Sequence, residues 1–402
     1  MDGISRRWLL RRLGLTGAAA LVTACNAPAT PGPGAPAPAP TAPPSGASTS
    51  AANSGSGGNP YSIGVTYPLT GPLAAFGTQV LPSIQIAADD LNQAGGVKGH
   101  PLKLIVEDTK STPEGGVAAM RKVVDVDKVP VVITIFTNVV TAQIPLAEQV
   151  KVPLICPVEA PGVVSDTQWA FSYAPTFDHD LPLLVEHWKK IGIKRLFAFF
   201  PDNAIANFYS PAAKDAAQQV SADYDEARYK LGETDYRGIV ARARDFNPDA
   251  VLINGQGTPD DGVLIKQLRE TGVNTPLFNG SNNFSTESWR SAVGSYAEGI
   301  VFAGFVLDSD KAKPFIDAYK AKVNIDPSQV CVEAYDQTRM VALAIEQNGF
   351  TGDGIRQGLA ELKGYQSING GTVEMGADHQ ARPDVGLYRV QNNAIVKIQP
   401  GG

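Results

Sequence analysis

Three cysteines and four histidines are spread through 402 residues, too thinly for the usual metal centres. His100, His179, His187 and His379 show neither HExxH nor Cys/His ligand spacing, so no metal is expected and each imidazole reads as a surface or internally satisfied residue. Cys25 lies near the start of the chain, which leaves Cys156 and Cys331 as expected buried thiols whose pairing the spacing neither supports nor excludes. No basic tract follows residue 24, and the formal charge of -6 comes from interspersed acids and bases, so there is no electrostatic reason to expect a nucleic-acid partner. No later apolar run is long enough to cross a bilayer. Catalytic signatures are missing as well: no G-x-S-x-G, no GxxxxGK[ST], and no GxGxxG at a strand-to-helix turn. Asp89-Asp90 and Asp260-Asp261 pair acids, yet both fall in helical stretches where a solvated face explains them. Neither an enzyme nor a bound cofactor is expected.

The N-terminus carries the first positive signal. Ser5-Arg6-Arg7-Trp8-Leu9-Leu10-Arg11, a short apolar stretch over 13–22 and small residues before Cys25 have the three-part form of a secretory signal. The paired arginines resemble a twin-arginine export signal, and Val22-Thr23-Ala24-Cys25 resembles a lipobox, after which Cys25 would become the lipidated first residue. Residues 1–24 are therefore expected to be removed, leaving an extracytoplasmic lipoprotein. One acyl chain anchors reversibly, so firm tethering needs several. Residues 25–59 are almost wholly Pro, Ala, Gly, Ser and Thr and cannot bury enough apolar surface to order, which reads as a linker. Its proline-rich first half should be extended and its second half flexible.

From Pro60 onward the composition is globular. Roughly 340 residues exceed the size at which one core keeps growing, so two lobes are expected. Apolar strand-like runs at 62–67, 102–108, 131–135, 153–156 and 195–200 alternate with helical periods, the pattern of a parallel sheet covered on both faces. The alternation resumes with a strand at 250–253, a helix at 260–271, strands at 277–278 and 299–306, and a helix at 332–347. Two alternating runs around Gln391-Asn392-Asn393 predict a closing hairpin.

Several ordered blocks resemble one family. Tyr67-Pro68-Leu69-Thr70-Gly71-Pro72-Leu73-Ala74-Ala75-Phe76-Gly77 is followed by Gly95-Gly96-Val97-Lys98-Gly99, Val106-Glu107-Asp108-Thr109, Val152-Pro153-Leu154-Ile155-Cys156-Pro157, Asn247-Pro248-Asp249-Ala250-Val251 and Ala334-Tyr335-Asp336. Together they resemble the branched-chain amino-acid-binding proteins, the type I solute-binding components of ABC importers, over nearly all of residues 60–398. The resemblance implies an α/β fold of two doubly wound parallel-sheet lobes joined by three hinge crossings, near 174–176, 303–306 and 363–368. The lobes would comprise 60–175 with 304–364, and 176–303 with 365–402. It also implies a monomer that captures a small polar solute by hinge closure and delivers it to a membrane permease and its ATPase subunits. Loops after the carboxyl ends of parallel strands, and the free N–H groups of following helices, suit such a site.

Carried over by position, Thr137 matches a residue that donates a hydroxyl to the solute carboxylate, with Asn138 beside it, and Phe76 matches an aromatic that packs on the solute. Val158, Glu159 and Ala160 match the second binding loop. Ala160 lacks the hydroxyl usual there, 201–207 lacks the usual Tyr-Gly, Gly257 stands where an aromatic often does, and Ser281 replaces the acid that pairs with the solute ammonium. Asn203, Gln256 and Ser281, with Asn207 and Tyr209 further back, are the polar candidates of the second lobe. Glu159 puts a carboxylate into a loop that is normally small and uncharged: either it pairs with a cationic or hydrogen-bond-donating solute group, or it turns outward to solvent or an arginine. An amino acid or related amide or carboxylate is the expected solute. A ligand-binding sensor domain and an enzyme on the same fold are the alternatives.

Overall fold

The computed structural model describes residues 58–255, 259–280, 284, 287–305 and 310–402. The expected signal, lipobox cysteine Cys25 and linker lie outside the described residues, except for the last two positions of the linker. Among the described residues no helix is long and apolar enough to cross a membrane.

The chain starts with β1 (Tyr61–Tyr67), α1 (Ala74–Gln93), β2 (Leu102–Asp108), α2 (Pro113–Arg121), β3 (Val132–Thr134), α3 (Thr137–Val150), β4 (Leu154–Cys156) and β5 (Ala170–Tyr173). A second series follows: α4 (Phe177–Ile191), β6 (Arg195–Pro201), α5 (Ala204–Gln219), β7 (Asp223–Tyr229), α6 (Arg237–Phe246) and β8 (Ala250–Ile253). It continues through α7 (Pro259–Glu270), β9 (Leu277–Asn279), α8 (Glu287–Val293) and β10 (Val301–Gly304). The last part comprises α9 (Lys313–Val323), α10 (Gln329–Asn348), α11 (Gly352–Ala360), β11 (Tyr365–Gln366), β12 (Thr372–Val373), β13 (Gln380–Ala381), β14 (Gly386–Gln391) and β15 (Ala394–Ile398).

Two twisted sheets result. The first has the order β13-β5-β4-β3-β1-β2, and every neighbouring pair is parallel. The second has the order β15-β14-β10-β9-β8-β6-β7, parallel from β10 to β7 and antiparallel at β14 and β15. Each is doubly wound. The strand order reverses between β1 and β3 in one sheet and between β6 and β8 in the other, and a crevice opens beyond the carboxyl ends of strands at such points. Asn392 and Asn393 both take positive φ (53° and 61°), the conformation a two-residue hairpin turn between β14 and β15 requires.

Helix α4 shows how local pattern becomes packing. Phe177, Leu181, Leu184, Val185 and Trp188 are buried on one stripe, Asp178 sits in the first turn and Lys189 and Lys190 in the last. Charges so placed complement the helix dipole. Gly192 ends the helix in the left-handed conformation. Helix α10 is different: 15 of its 20 residues are buried, Glu333, Asp336 and Gln337 among them. Cys156 and Cys331 are both free, buried thiols in separate cores.

Three segments link the sheets. The first is 174–176, between β5 and α4, and the second runs between Gly304 and Lys313, with 306–309 outside the described residues. The third is not at 363–368. There the chain forms the small β11–β12 pair and then adds β13 to the first sheet, so the return to the second sheet falls between Ala381 and Gly386. The cause is Asp336 of α10, which accepts hydrogen bonds from Tyr365 Oη (2.6 Å) and Ser367 Oγ (2.7 Å) and holds that segment on the first lobe. Residues 365–381 thus belong to the first lobe.

One acid of each expected pair also departs from a solvated face. Asp261 is fully buried and accepts from Tyr229 Oη at 2.7 Å, and Asp90 accepts from Tyr335 Oη at 2.7 Å. Apolar periodicity does not register an acid whose partner arrives from a distant strand or helix.

Candidate functional site

At the first sheet's reversal point, the loop after β1 is pinned by the carboxylate that ends β2. Asp108 accepts from Leu69 N (2.9 Å), Thr70 N (3.2 Å), Thr70 Oγ1 (2.6 Å) and Lys110 N (2.8 Å). Burial pushes its pKa up, but these donors outweigh it and hold the carboxyl below its ordinary value. Gly71 within the loop has φ +87°, and a β-carbon there would lie 2.6 Å from Lys110 O, so this turn excludes larger residues. The loop delivers half-buried Phe76 in the first turn of α1, against Phe136 at a centroid distance of 5.1 Å.

Phe136 holds φ +70° immediately before α3. For an aromatic residue that conformation is costly and persists where neighbours impose it, most often at binding sites. It sets half-buried Thr137 and exposed Asn138 at the open amino end of α3, where unsatisfied N–H groups attract an anion.

In the loop after β4 the three candidates separate. Val158 is fully buried, its N–H donating to Ser172 Oγ at 3.0 Å and its carbonyl accepting from Ser172 Oγ at 3.3 Å; Ala160 is buried in the same core. Both are committed to the lobe. Glu159 between them points the other way and keeps some solvent access. Its carbonyl accepts from Phe177 N at 3.2 Å, and its carboxylate accepts from Tyr209 Oη at 3.3 Å. Phe177 and Tyr209 belong to the second lobe, so Glu159 contacts both lobes. The surrounding protein strips most of its hydration, and this pushes the Glu159 carboxyl up to about 7 despite the Tyr209 hydrogen bond.

On the second lobe, Phe177 meets Tyr209 edge-on at 4.5 Å and lies close over the end of β9. A β-carbon at Gly280 would fall 2.1 Å from the Phe177 ring, so only glycine lets that ring approach. Asn203 is half-buried in the turn between β6 and α5, its carbonyl accepting from Ala206 N at 3.2 Å. Asn207 is exposed and accepts from Arg228. Gln256, Gly257 and Ser281 lie outside the described residues.

Two further carboxyls were not among the sequence candidates. Asp180, in the first turn of α4, is 2% exposed, and Glu333, in α10, is fully buried. Burial raises both pKa values and the charge of Glu159 adds to each. The available clue to Asp180 was its place directly after the first crossing; for Glu333 the sequence offered none, since one acid in a helix normally faces water. The histidines are spread apart: His100 lies by Asn59 O, His187 accepts from Gly401 N, and His379 lies against Phe171.

Two doubly wound α/β lobes, cross-linked three times and facing each other through strand-end loops, define a two-lobed solute-binding protein. A family model described as periplasmic binding protein matches residues 60–394. The chain belongs to that family. It is 25% identical over 350 residues to Leu/Ile/Val-binding protein homolog 3 of Brucella melitensis, covering 84% of this chain and 93% of that one. It is 26% identical over 322 residues to the Leu/Ile/Val-binding protein of Escherichia coli K12, covering 78% and 84%. Among solved structures it resembles the branched-chain amino acid transporter substrate-binding protein LivJ of Streptococcus pneumoniae in complex with isoleucine. That match has a TM-score of 0.74 and 25% identity, covering 84% of this chain and all of that one. The relatives named are solute-binding proteins rather than enzymes.

Proposed function

We propose that this protein is an extracytoplasmic, lipid-anchored receptor that captures a small polar solute between its lobes and presents it to an ABC permease driven by separate ATPase subunits. It works as a monomer tied through Cys25, with residues 25–59 as the spacer. The observation that carries the reading is Glu159, whose carboxylate leaves a first-lobe loop and meets Tyr209 of the second. A solute bound there touches both lobes at once. It therefore binds the closed arrangement better than an open one and shifts the equilibrium by that difference in affinity.

Thr137 and the amino end of α3 supply donors suited to a carboxylate or amide oxygen, Phe76 supplies an apolar wall, and Glu159 supplies an acceptor. An amino acid or a related amide fits that combination. Asn203, Gln256, Gly257 and Ser281 complete the second-lobe wall in this reading.

A thermal-shift screen of amino acids, amides, aromatic acids and urea-like compounds tests it, because a ligand at about a hundred times its dissociation constant stabilises by about 2.7 kcal/mol. A hit whose affinity falls in the Glu159→Gln variant supports the assignment. Unchanged affinity removes Glu159 from the site.

A further inference from the structure

Glu159, Asp180 and Glu333 come from three different elements, a loop after β4, the first turn of α4 and the second turn of α10, yet each lies within electrostatic range of the other two. Among the described residues no lysine or arginine pairs with any of them. The nearest charged candidate for Asp180 is the His179 ring, 3.8 Å away and making no hydrogen bond to it. Arg382, beside this helix, is engaged with Asp378 Oδ2 at 2.7 Å and Thr176 Oγ1 at 3.1 Å.

A second observation concerns unpartnered atoms. Asp180 Oδ1 and Glu333 Oε2 are buried without a hydrogen-bond partner, and so are Gln329 Oε1, Gln337 Oε1 and Tyr67 Oη. Gln329 donates its amide nitrogen to Glu333 Oε1 at 2.6 Å, Gln337 donates to Tyr173 O at 3.2 Å, and Tyr67 senses the Glu333 charge. Tyr67 and Tyr173 end β1 and β5, so Gln337, which donates to Tyr173 O, lies by the carboxyl ends of the first sheet, and Glu333 acts on Tyr67 there. Two of the five orphan atoms are amide oxygens that only accept, and two are carboxyl oxygens that only accept once ionised. Buried acceptors left unmatched are costly, and a set of them in one place calls for a donor-rich occupant.

We propose that the solute is a small cation bearing several N–H donors, of the guanidino-amine or diamine class, held by Glu159, Asp180 and Glu333 with the neighbouring glutamine oxygens completing its shell. This rests on the reading of the interlobe site as the solute site and replaces the amino acid or amide as its occupant with a cationic amine. A cation supplies the missing positive charge and the missing donors together, which an aliphatic zwitterion does not.

The test is calorimetric titration of the purified full chain at pH 7.5 with agmatine, putrescine and arginine, and with leucine and benzoate as comparison solutes. Agmatine or putrescine should bind one to one, and Asp180→Asn and Glu333→Gln should each weaken that binding at least about tenfold. Neither change should lower the melting temperature of the ligand-free protein, because each replaces a carboxyl whose ionised form burial penalises by a neutral amide. A structural role alone would lower the melting temperature and spare the affinity. Glu159→Gln, at a partly exposed position, provides a variant whose folding is not at risk. Cation binding that survives both buried substitutions within twofold overturns the proposal. Binding of leucine or benzoate but no cation, weakened by Glu159→Gln, overturns it while leaving the interlobe solute site standing. Binding of none of the five overturns it too, and the broader solute screen then decides the interlobe reading separately.

Discussion

Replacing Glu159 by Gln should stabilise the ligand-free protein at alkaline pH and leave it unchanged at acid pH. The Glu159 carboxyl ionises at about 7 when folded, against an ordinary value of 4.5, because burial penalises its charge more than the Tyr209 hydroxyl compensates. Between those two values the folded protein holds a proton that the unfolded chain has released, so unfolding free energy falls as pH rises from about 4.5 to about 7 and levels off above. At about 1.4 kcal/mol for each factor of ten in proton affinity, that interval corresponds to about 3 kcal/mol. Residual solvent access reduces it to about 2 kcal/mol. Glutamine keeps an acceptor for Tyr209 and has no charge to bury, so the variant should gain about 2 kcal/mol at pH 8, or about 3 °C in melting temperature. Urea unfolding of both proteins at pH 4 and pH 8 measures the difference directly, and effects of titrating groups that Glu159 does not influence cancel between them. An equal gain at both pH values, or a loss at pH 8, would refute the account of a desolvated carboxylate.

Four further outcomes are expected. Gly280→Ala places a β-carbon against the Phe177 ring and should cost about 1–3 kcal/mol while weakening solute binding, because the displaced ring no longer braces Tyr209; denaturation and titration report the two effects. Asp336→Ala should cost about 3 kcal/mol by stranding the hydroxyls of Tyr173, Tyr365 and Ser367. Burial pushes Asp336 up to about 6 despite those donors, so Asp336→Asn should lack the part of the stability loss that the native protein shows as pH rises from about 4 to about 6. Tyr229→Phe should cost about 1–2 kcal/mol by removing the hydroxyl that Asp261 accepts from, measurable by urea unfolding.

The parallel strands were legible because buried strands read as continuous apolar runs: β2 and β8 fall at the expected residues, and β1, β4 and β6 within one. Edge strand β7, with Asp223, Asp225, Glu226 and Arg228 in seven residues, carries no such run, since its outer margin faces water and its membership depends on pairing with β6. The loop candidates were findable by place alone. Phe76, Thr137 and Asn203 each follow a strand at a point where the sheet order reverses, so strand order and the loop that ends a strand identify them. Val158 and Ala160 also follow a strand, β4, but are buried in the first lobe, Val158 bonding to Ser172, whereas Glu159 between them reaches Tyr209.

The alternating pattern of apolar runs and helical periods was enough to specify two layered α/β lobes, because burying strands and helix stripes is a local requirement written in every segment. The hydrophobic pattern could not say where the chain last changes lobe, because that depends on Asp336 reaching across 29 residues to Tyr365. Nor could it show that Glu159, Asp180 and Glu333, up to 174 positions apart in the numbering, share one electrostatic neighbourhood. Charge interactions act through space and leave no periodic trace along a chain, so their assembly became visible when three separate elements were brought together.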